Sequence, residues 1–452
     1  METHLADWFK GTPDGIEAEA ILRACVHCGF CTATCPTYQL LGDEKDGPRG
    51  RIYLMKQVME GAQPTLTTMT HLDRCLTCRN CETTCPSGVR YGHLVDIGRK
   101  LVEERVQRPL GQRMARTVLR EGLTRRWLFD PAMRLGKLVR PLLPEVLKTK
   151  VPDARDPGPW PTDSHVAKVL LLNSCTQGAM MPGIDHATAR VLDRLGVQAI
   201  VEPSSGCCGA LRYHLNDHEG GMADARRNID AWWPYLEAGV EAIVMNASGC
   251  GVMVKDYGHL LRNDPAYAER AARVAAMTFD LIEWLPQRLA PAPSPGGVGG
   301  SGVGGSGAAG GGQRPGTPGA PELAARRVAF HPPCTLQHGQ QIKGAVERLL
   351  AGWGAQILPV PDAHLCCGSA GTYSVLQPVY SRELRDRKLA ALQSGGPEVI
   401  LSANMGCLSH LQSGTGTPVR HWIEWLEAQL PENPRAAAEP VPAGAAATAA
   451  AG

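Results

Sequence analysis

The chain has 452 residues, enough for two or three domains with a core each. A formal net charge of +2, with 20% charged and 5% aromatic residues, argues against nucleic acid as the main partner, since neither a basic field nor stacking side chains are supplied. The 16 cysteines are the outlier, and eight of them fall between Cys25 and Cys85. A disulfide scaffold belongs to small secreted domains, whereas this start, Met1 to Asp7, has neither the basic nor the apolar region of a signal peptide. Apolar runs such as Val169–Leu172 fall far short of the ~20 residues that span a bilayer. The expected compartment is the cytoplasm, where clustered thiols stay reduced and serve as metal ligands.

In chain order, residues 1–100 carry two tight cysteine motifs joined by a helical segment. Residues 101–165 are rich in Arg and Leu and broken by Pro109, Pro131, Pro141 and Pro144. That predicts short helices and then an extended connector through Pro152, Pro157, Pro159 and Pro161. Within it, Trp127, Leu128, Met133, Leu135, Leu138 and Val139 are interleaved with Arg125, Arg126, Arg134, Lys137 and Arg140. Such a stretch suits peripheral association with the anionic inner face of the cell membrane, or a basic helix with its apolar face packed inward. Inward packing is the expectation.

From 166 to 288 the pattern changes. Val166–Leu172, Val197–Val201 and Ala242–Met245 are short, nearly continuous apolar runs, the mark of strands buried on both faces, and Ala187–Leu195 and Ala225–Leu236 read as helices. Strands alternating with helices predict a parallel α/β domain. Residues 289–320 form a Pro/Gly/Ser-rich flexible linker. Its Gly297–Gly302 segment satisfies G-x-G-x-x-G, but no strand precedes it and no helix follows, so no dinucleotide site is expected. The α/β pattern returns over 321–432, in Val328–Phe330, a helix from Gly344 to Leu350, Ile357–Leu358 and Val399–Leu401, before a disordered Ala/Pro tail at 433–452. Cys175 stands 32 residues before Cys207, and Cys334 stands 32 before Cys366. Each second point opens a Cys-Cys-Gly triplet, and Cys250 and Cys407 follow at nearly matched distances. The two halves are duplicated units. The fold class expected is α+β multidomain: a mostly helical ferredoxin-type domain, then two duplicated α/β Cys-Cys-Gly (CCG) domains.

The strongest chemical signal is Cys25-x2-Cys28-x2-Cys31-x3-Cys35-Pro36, repeated as Cys75-x2-Cys78-x2-Cys81-x3-Cys85-Pro86. Three cysteines spaced by two residues reach three irons of one 4Fe–4S cubane, and the fourth, before proline, reaches the neighbouring cluster. Cys25, Cys28, Cys31 and Cys85 are therefore assigned to one cluster, and Cys75, Cys78, Cys81 and Cys35 to the other. Paired zinc sites use two C-x2-C pairs per ion and leave the third cysteine and the Cys-Pro unexplained. Arg49 and Arg51 between the motifs, and Arg74, Arg79, Arg90 and Arg99, are either cations that tune a cluster or a solvated basic face.

In each CCG repeat, Cys175, Cys207, Cys208 and Cys250, and then Cys334, Cys366, Cys367 and Cys407, form a second class of candidate. Cys175 and Cys334 follow a predicted strand, at the carboxyl edge where α/β sheets gather ligands. Gly209 and Gly368 permit the turn that adjacent ligating thiolates need. Metal or cluster binding is the reading taken; buried structural cysteine and a redox thiol pair stay open. His27 and His364, near cysteines, read as ordinary hydrogen-bonding residues. No Ser-His-Asp order, H-E-x-x-H, Walker loop, or flavin or nicotinamide fingerprint is present. The chain is thus expected to carry no FAD or NAD and no catalytic residue, to relay electrons, and to need a partner that starts the chemistry.

With these residues in hand, the chain resembles the iron–sulfur subunits of bacterial glycolate oxidase (glycolate dehydrogenase), most densely over Arg23–Tyr38, Gly47–Ile52, His71–Arg90, Asn228–Pro234 and His364–Tyr373. The resemblance implies a complex with FAD-binding subunits, in which a flavin takes a hydride from glycolate to give glyoxylate. The clusters would pass single electrons towards a quinone-type acceptor. Alternatives of the same chemistry are subunits of lactate or glycerol-3-phosphate dehydrogenases. A heterodisulfide-reductase-like enzyme is the alternative of another class. The heterodisulfide pattern, however, ends in a C-x2-C, where this chain has Met253 after Cys250 and His410 after Cys407.

Overall fold

The computed structural model describes residues 1–289 and 323–431. The expected linker beyond Leu289, with its G-x-G-x-x-G segment, and the expected tail from 433 lie outside the described residues. The first unit is helical. Thr12 accepts a hydrogen bond from Gly15 N–H, and Pro13 takes the first position of helix Pro13–Ala24. Thr65 and Thr68 form a reciprocal cap on Leu66–Asp73. Together with Pro48–Met59 and Tyr91–Arg105, these helices close over Ile21, Leu22, Ile52, Met55, Met59, Leu72, Leu94 and Val95.

Two helices follow, Leu110–Thr124 and Arg126–Leu138, the second running through Pro131 rather than ending there. One missing N–H inside a helix costs a hydrogen bond and bends it without necessarily breaking it. The expectation of inward packing fails. Phe129 and Met133 are buried, but Leu110, Val118, Trp127 and Leu138 are 73%, 68%, 72% and 79% exposed. Polar side chains hold the inner face instead. Arg126 bonds Asn173, Lys137 donates to the carbonyls of Ala179 and Met180 at 2.8 and 2.9 Å, and Arg212 pairs with Glu121 at 3.0 Å. With the polar face spent on docking, the apolar stripe points outward.

Two four-stranded parallel sheets follow. In the first, β1 (Ala167–Leu171), β2 (Val197–Val201), β3 (Ala242–Met245) and β4 (Thr278–Asp280) lie in the order β2-β1-β3-β4. In the second, β5 (Arg327–His331), β6 (Gln356–Ile357), β7 (Val399–Ser402) and β8 (Val419–His421) repeat it as β6-β5-β7-β8. The middle strands are buried on both faces, with Leu170 opposite Ile243 and Ala329 opposite Ile400, as their apolar runs demand. The two sheet domains share one core, in which Leu192 and Trp284 of the first pack with Trp422 and Trp425 of the second. Arg190 pairs with Glu427 across that boundary, and Ser248 Oγ meets Thr335 Oγ1 at 2.7 Å. Among the described residues, no helix is long and apolar enough to cross a membrane.

Candidate metal centres

The two N-terminal motifs bend the chain in the same way. His27 and Gly29 in the first, and Thr77 and Arg79 in the second, have positive φ (59°, 87°, 52° and 60°). Each left-handed residue reverses the chain between cysteines, so the thiols converge on one point instead of spreading along a helix. One helical turn follows each, Phe30–Ala33 and Asn80–Thr83. Pro36 then starts a helix with Cys35 as its cap, carrying that thiol away from its own motif.

The structure brings Cys25, Cys28, Cys31 and Cys85 together around one small cavity, and Cys35, Cys75, Cys78 and Cys81 around another, with Cys81 touching both. Burial first, and then Cys25, Cys85 and Cys28, push the Cys31 thiol up to about 11. Burial, and then Cys78, Cys75 and Glu82 ahead of Cys35, push Cys81 well above the ordinary thiol range. Four sulfurs this close cannot all ionise alone, but they can around a cationic iron core. The donor set also has the polar support such a core needs. Thr77 N–H and Tyr91 Oη donate to Cys75 Sγ at 3.4 and 3.7 Å, and Thr37 Oγ1 lies 3.3 Å from Cys35 Sγ. The residues fit a pair of 4Fe–4S clusters.

The arginines divide. Arg51 is buried beside Cys75 and Cys35 and donates to His71 O at 2.7 Å and Thr37 Oγ1 at 3.1 Å. Asp46 balances it and also binds His71 and Arg74, at 3.0 and 2.9 Å. Arg99 clamps the second motif by donating to Leu72 O, Cys75 O and Thr77 Oγ1. Arg49 is half-exposed on Glu44, Arg79 pairs with Glu82, and Arg90 reaches Glu17 only at 3.8 Å. No hydrogen bond joins the His27 or His364 side chain to a cysteine among the described residues; His364 instead offers its carbonyl to Asn80 Nδ2 at 3.1 Å and His338 Nε2 at 2.9 Å.

In the sheet domains the cysteines stand at the carboxyl edges of the strands. The Cys175 thiol stands beside that of Cys207, Cys207 beside Cys208, and Cys208 beside Cys250, each acting on its neighbour's ionisation. In the second domain Cys334 stands beside Cys366, Cys366 beside Cys367, and Cys367 beside Cys407. Gly209 and Gly368 sit at φ +90° and +84°, where a Cβ would come within 2.5 Å of Gly221 O and 2.6 Å of Ser381 O. Both sets open on a shared cavity of about 340 Å³ whose wall also includes Cys75 and Cys78. Cys334 packs in one cluster with Leu76 and Cys78, so the second domain touches the Cys75–Cys81 motif. Asn80 and the Thr83–His338 bond, at 2.9 Å, fix that contact.

Two features escaped the sequence reading. Lys388 is buried beside Cys334, Cys366 and Cys367, with its ammonium on Asp362 O at 2.6 Å. His331 is fully buried near Cys367 and Cys407, and burial pushes its imidazole down to about 3. His331 lies three residues before Cys334, a place held by Leu172 in the first repeat; comparing the repeats position by position carried that signal.

Residues 21–89 match the family model of a 4Fe-4S dicluster domain, and residues 169–255 and 328–412 each match a cysteine-rich domain. The glycolate oxidase iron-sulfur subunit of Escherichia coli (strain K12) is 51% identical over 95% of this chain and 99% of its own length. A probable glycolate oxidase iron-sulfur subunit of Bacillus subtilis (strain 168) is 30% identical over 88% of this chain and 89% of its own. Lactate utilization protein A of an Exiguobacterium is 27% identical over 54% of this chain and 88% of its own. Two relatives alike along almost their entire length, and both cysteine-bearing domain types in the same order, show that this chain belongs to the family of glycolate oxidase iron–sulfur subunits.

Proposed function

We propose that this iron–sulfur protein is the electron-transfer subunit of a glycolate-oxidising complex, with FAD-binding subunits as its partners and a quinone-type acceptor downstream. Residues 1–100 would hold the two clusters, one on Cys25, Cys28, Cys31 and Cys85 and the other on Cys75, Cys78, Cys81 and Cys35. Residues 166–288 and 321–432 would hold further metal on the eight CCG cysteines. The observation that carries the reading is the crossed grouping of the eight N-terminal thiols, each set taking three cysteines from one motif and one from the other. When bound, two clusters in series accept one electron each and so separate the pair that a hydride brings.

The chain's own residues do the rest. Arg51 and Arg99 hold the Cys75 loop and place positive charge on it. Cys28 is exposed, which gives the first set access to a docking partner, while Cys35, Cys75 and Cys81 of the second are buried and Cys78 is half-buried. On the two helices between residues 110 and 138, Arg113 and Arg134 are exposed beside an apolar stripe that is uncovered among the described residues. That combination supports peripheral docking on an anionic membrane surface. A lactate-oxidising complex is favoured less, since the lactate relative covers 54% of the chain.

The test is reconstitution with the flavin subunits under anaerobic conditions. Glycolate should reduce the flavin with or without this chain, while transfer to a quinone should need it and should fail in Cys78→Ser. Quinone reduction at full rate by Cys78→Ser, or glycolate turnover by the isolated chain, refutes the reading.

A further inference from the structure

The second CCG domain has a donor that its twin lacks. His331 ends β5, and the matching position before Cys175 is Leu172. The imidazole is fully buried, and neither ring nitrogen has a hydrogen-bond partner among the described residues. A buried polar group left unpaired costs about 1–3 kcal/mol, and the fold removes that cost only by giving the ring a partner. One His331 nitrogen, Cys367 Sγ and Cys407 Sγ all lie within 4.8 Å of one another. Donors bound at about 2.0–2.3 Å to one tetrahedral ion sit about 3.3–3.8 Å apart, a small inward movement away. Thiolates on separate irons of a cubane point outward from different corners and stand farther apart.

We infer that His331, Cys367 and Cys407 form a mixed nitrogen–sulfur site for a single ion of the zinc class, with Cys366 as fourth donor, in the second domain alone. This deepens the reading of the CCG cysteines as metal ligands and rests on it. Cys366, next to Cys367 in sequence, has its sulfur outside the group of those three donors, where it accepts from Gly368 N–H at 3.4 Å, and it completes the shell by turning inward. Asn404 Nδ2 donates to Cys407 Sγ at 3.6 Å, the outer contact that orients a ligand. On binding, the three thiol protons leave to solvent, and three thiolates with a dication carry one negative charge. The Lys388 ammonium beside Cys366 and Cys367 offsets it. His410 does not compete, because its Nε2 lies 3.2 Å from both the hydroxyl and the carbonyl of Ser381. In the first domain Leu172 offers no nitrogen.

The test uses the full chain purified anaerobically, with iron, sulfide and zinc counted per chain and the zinc shell read by X-ray absorption. The wild type should carry about one zinc, with one nitrogen and the rest sulfur around it. His331→Leu, which copies the first repeat, should lose most of that zinc and keep its iron. His331→Cys should retain the metal in an all-sulfur shell, which separates loss of a donor from loss of fold. Zinc kept in full by His331→Leu, a shell without nitrogen in the wild type, or loss of iron instead of zinc overturns the inference. A wild-type chain with no metal beyond its two N-terminal clusters overturns the broader reading of the CCG cysteines as well.

Discussion

His93 ties the N-terminal unit to the first sheet domain, and its charge should set how tightly they dock. Its Nδ1 lies 3.1 Å from Glu17 Oε1 and its Nε2 lies 3.3 Å from Asp256 Oδ2, with the ring stacked on His259 at 4.0 Å. Burial alone would push the imidazole down; the bonds to Asp256 and Glu17 outweigh it and lift His93 from 6.5 to about 9. Burial opposes ionisation of Glu17 as well, yet His259, His93 and Arg262 hold it well below the usual carboxylate range. A raised imidazole stabilises the docked state fully below the free value of about 6.5, progressively less as pH rises, and not at all above about 9. The whole shift amounts to about 3 kcal/mol, or about 300-fold in an opening equilibrium. His93→Gln removes the charge and leaves Glu17 with Arg262 and His259. Hydrogen exchange over helices Tyr91–Arg105 and Tyr257–Leu260 reads the opening, and the ratio of variant to wild-type rates cancels the chemical pH dependence. That ratio should be about 200 at pH 6 and about 1 at pH 9.5. An equal ratio at the two pH values refutes the reasoning.

The remaining expectations use other parts of the molecule. Cys85→Ser should alter the same cluster signal in EPR as Cys25→Ser, and Cys35→Ser the same as Cys75→Ser; signals that sort by motif instead break the crossed assignment. Gly368→Ala places a Cβ 2.6 Å from Ser381 O at φ +84°, whereas Gly239, at φ +86°, has open space around it. The first should cost about 2–4 kcal/mol and the second about 1 kcal/mol, and equal melting temperatures would contradict this. Leu110→Ser with Leu138→Ser should weaken binding to anionic phospholipid vesicles at least about tenfold, since each exposed leucine that inserts contributes about 1.5–3 kcal/mol. Unchanged sedimentation with vesicles would show that the stripe serves something other than a membrane.

How much was legible follows from what each residue must satisfy locally. Val169–Leu171, Ile243–Met245 and Val399–Leu401 announce their strands because a strand buried on both faces has no polar position to spare. The edge strands Thr278–Asp280 and Val419–His421 are three residues each and carry Asp280, Arg420 and His421, so they exist only because a formed neighbour supplies the hydrogen bonds. Periodicity in the Arg/Leu helices gives the presence of an apolar face but not its direction. Arg126, Lys137 and Glu121 decide that through partners at positions 173, 179, 180 and 212. The convergence of the N-terminal thiols is local, within one turn of chain, and spacing carries it. The meeting of Cys78 with Cys334 is not, because Asn80, Thr83 and His338 dock surfaces 255 or more residues apart in sequence.

Duplication explains why the thiols gather in one place. A parallel sheet sends every strand in the same direction, so Cys175 after β1 and Cys250 after β3 reach one edge, as do Cys334 after β5 and Cys407 after β7. Two such domains need only face each other edge to edge to bring six of the CCG cysteines to one cavity, and Ser248–Thr335 and the 2.9 Å bond from Gln340 to Asp280 hold them so. The helical unit then closes the cavity with the Cys75–Cys78 loop, off-centre, against the second copy. That asymmetry puts the two copies in different surroundings. The copy in contact with Cys78 is the one that has Lys388 beside its thiols and a histidine where its twin has leucine. These two differences between the repeats thus fall where their surroundings differ, at the thiols that face the helical unit.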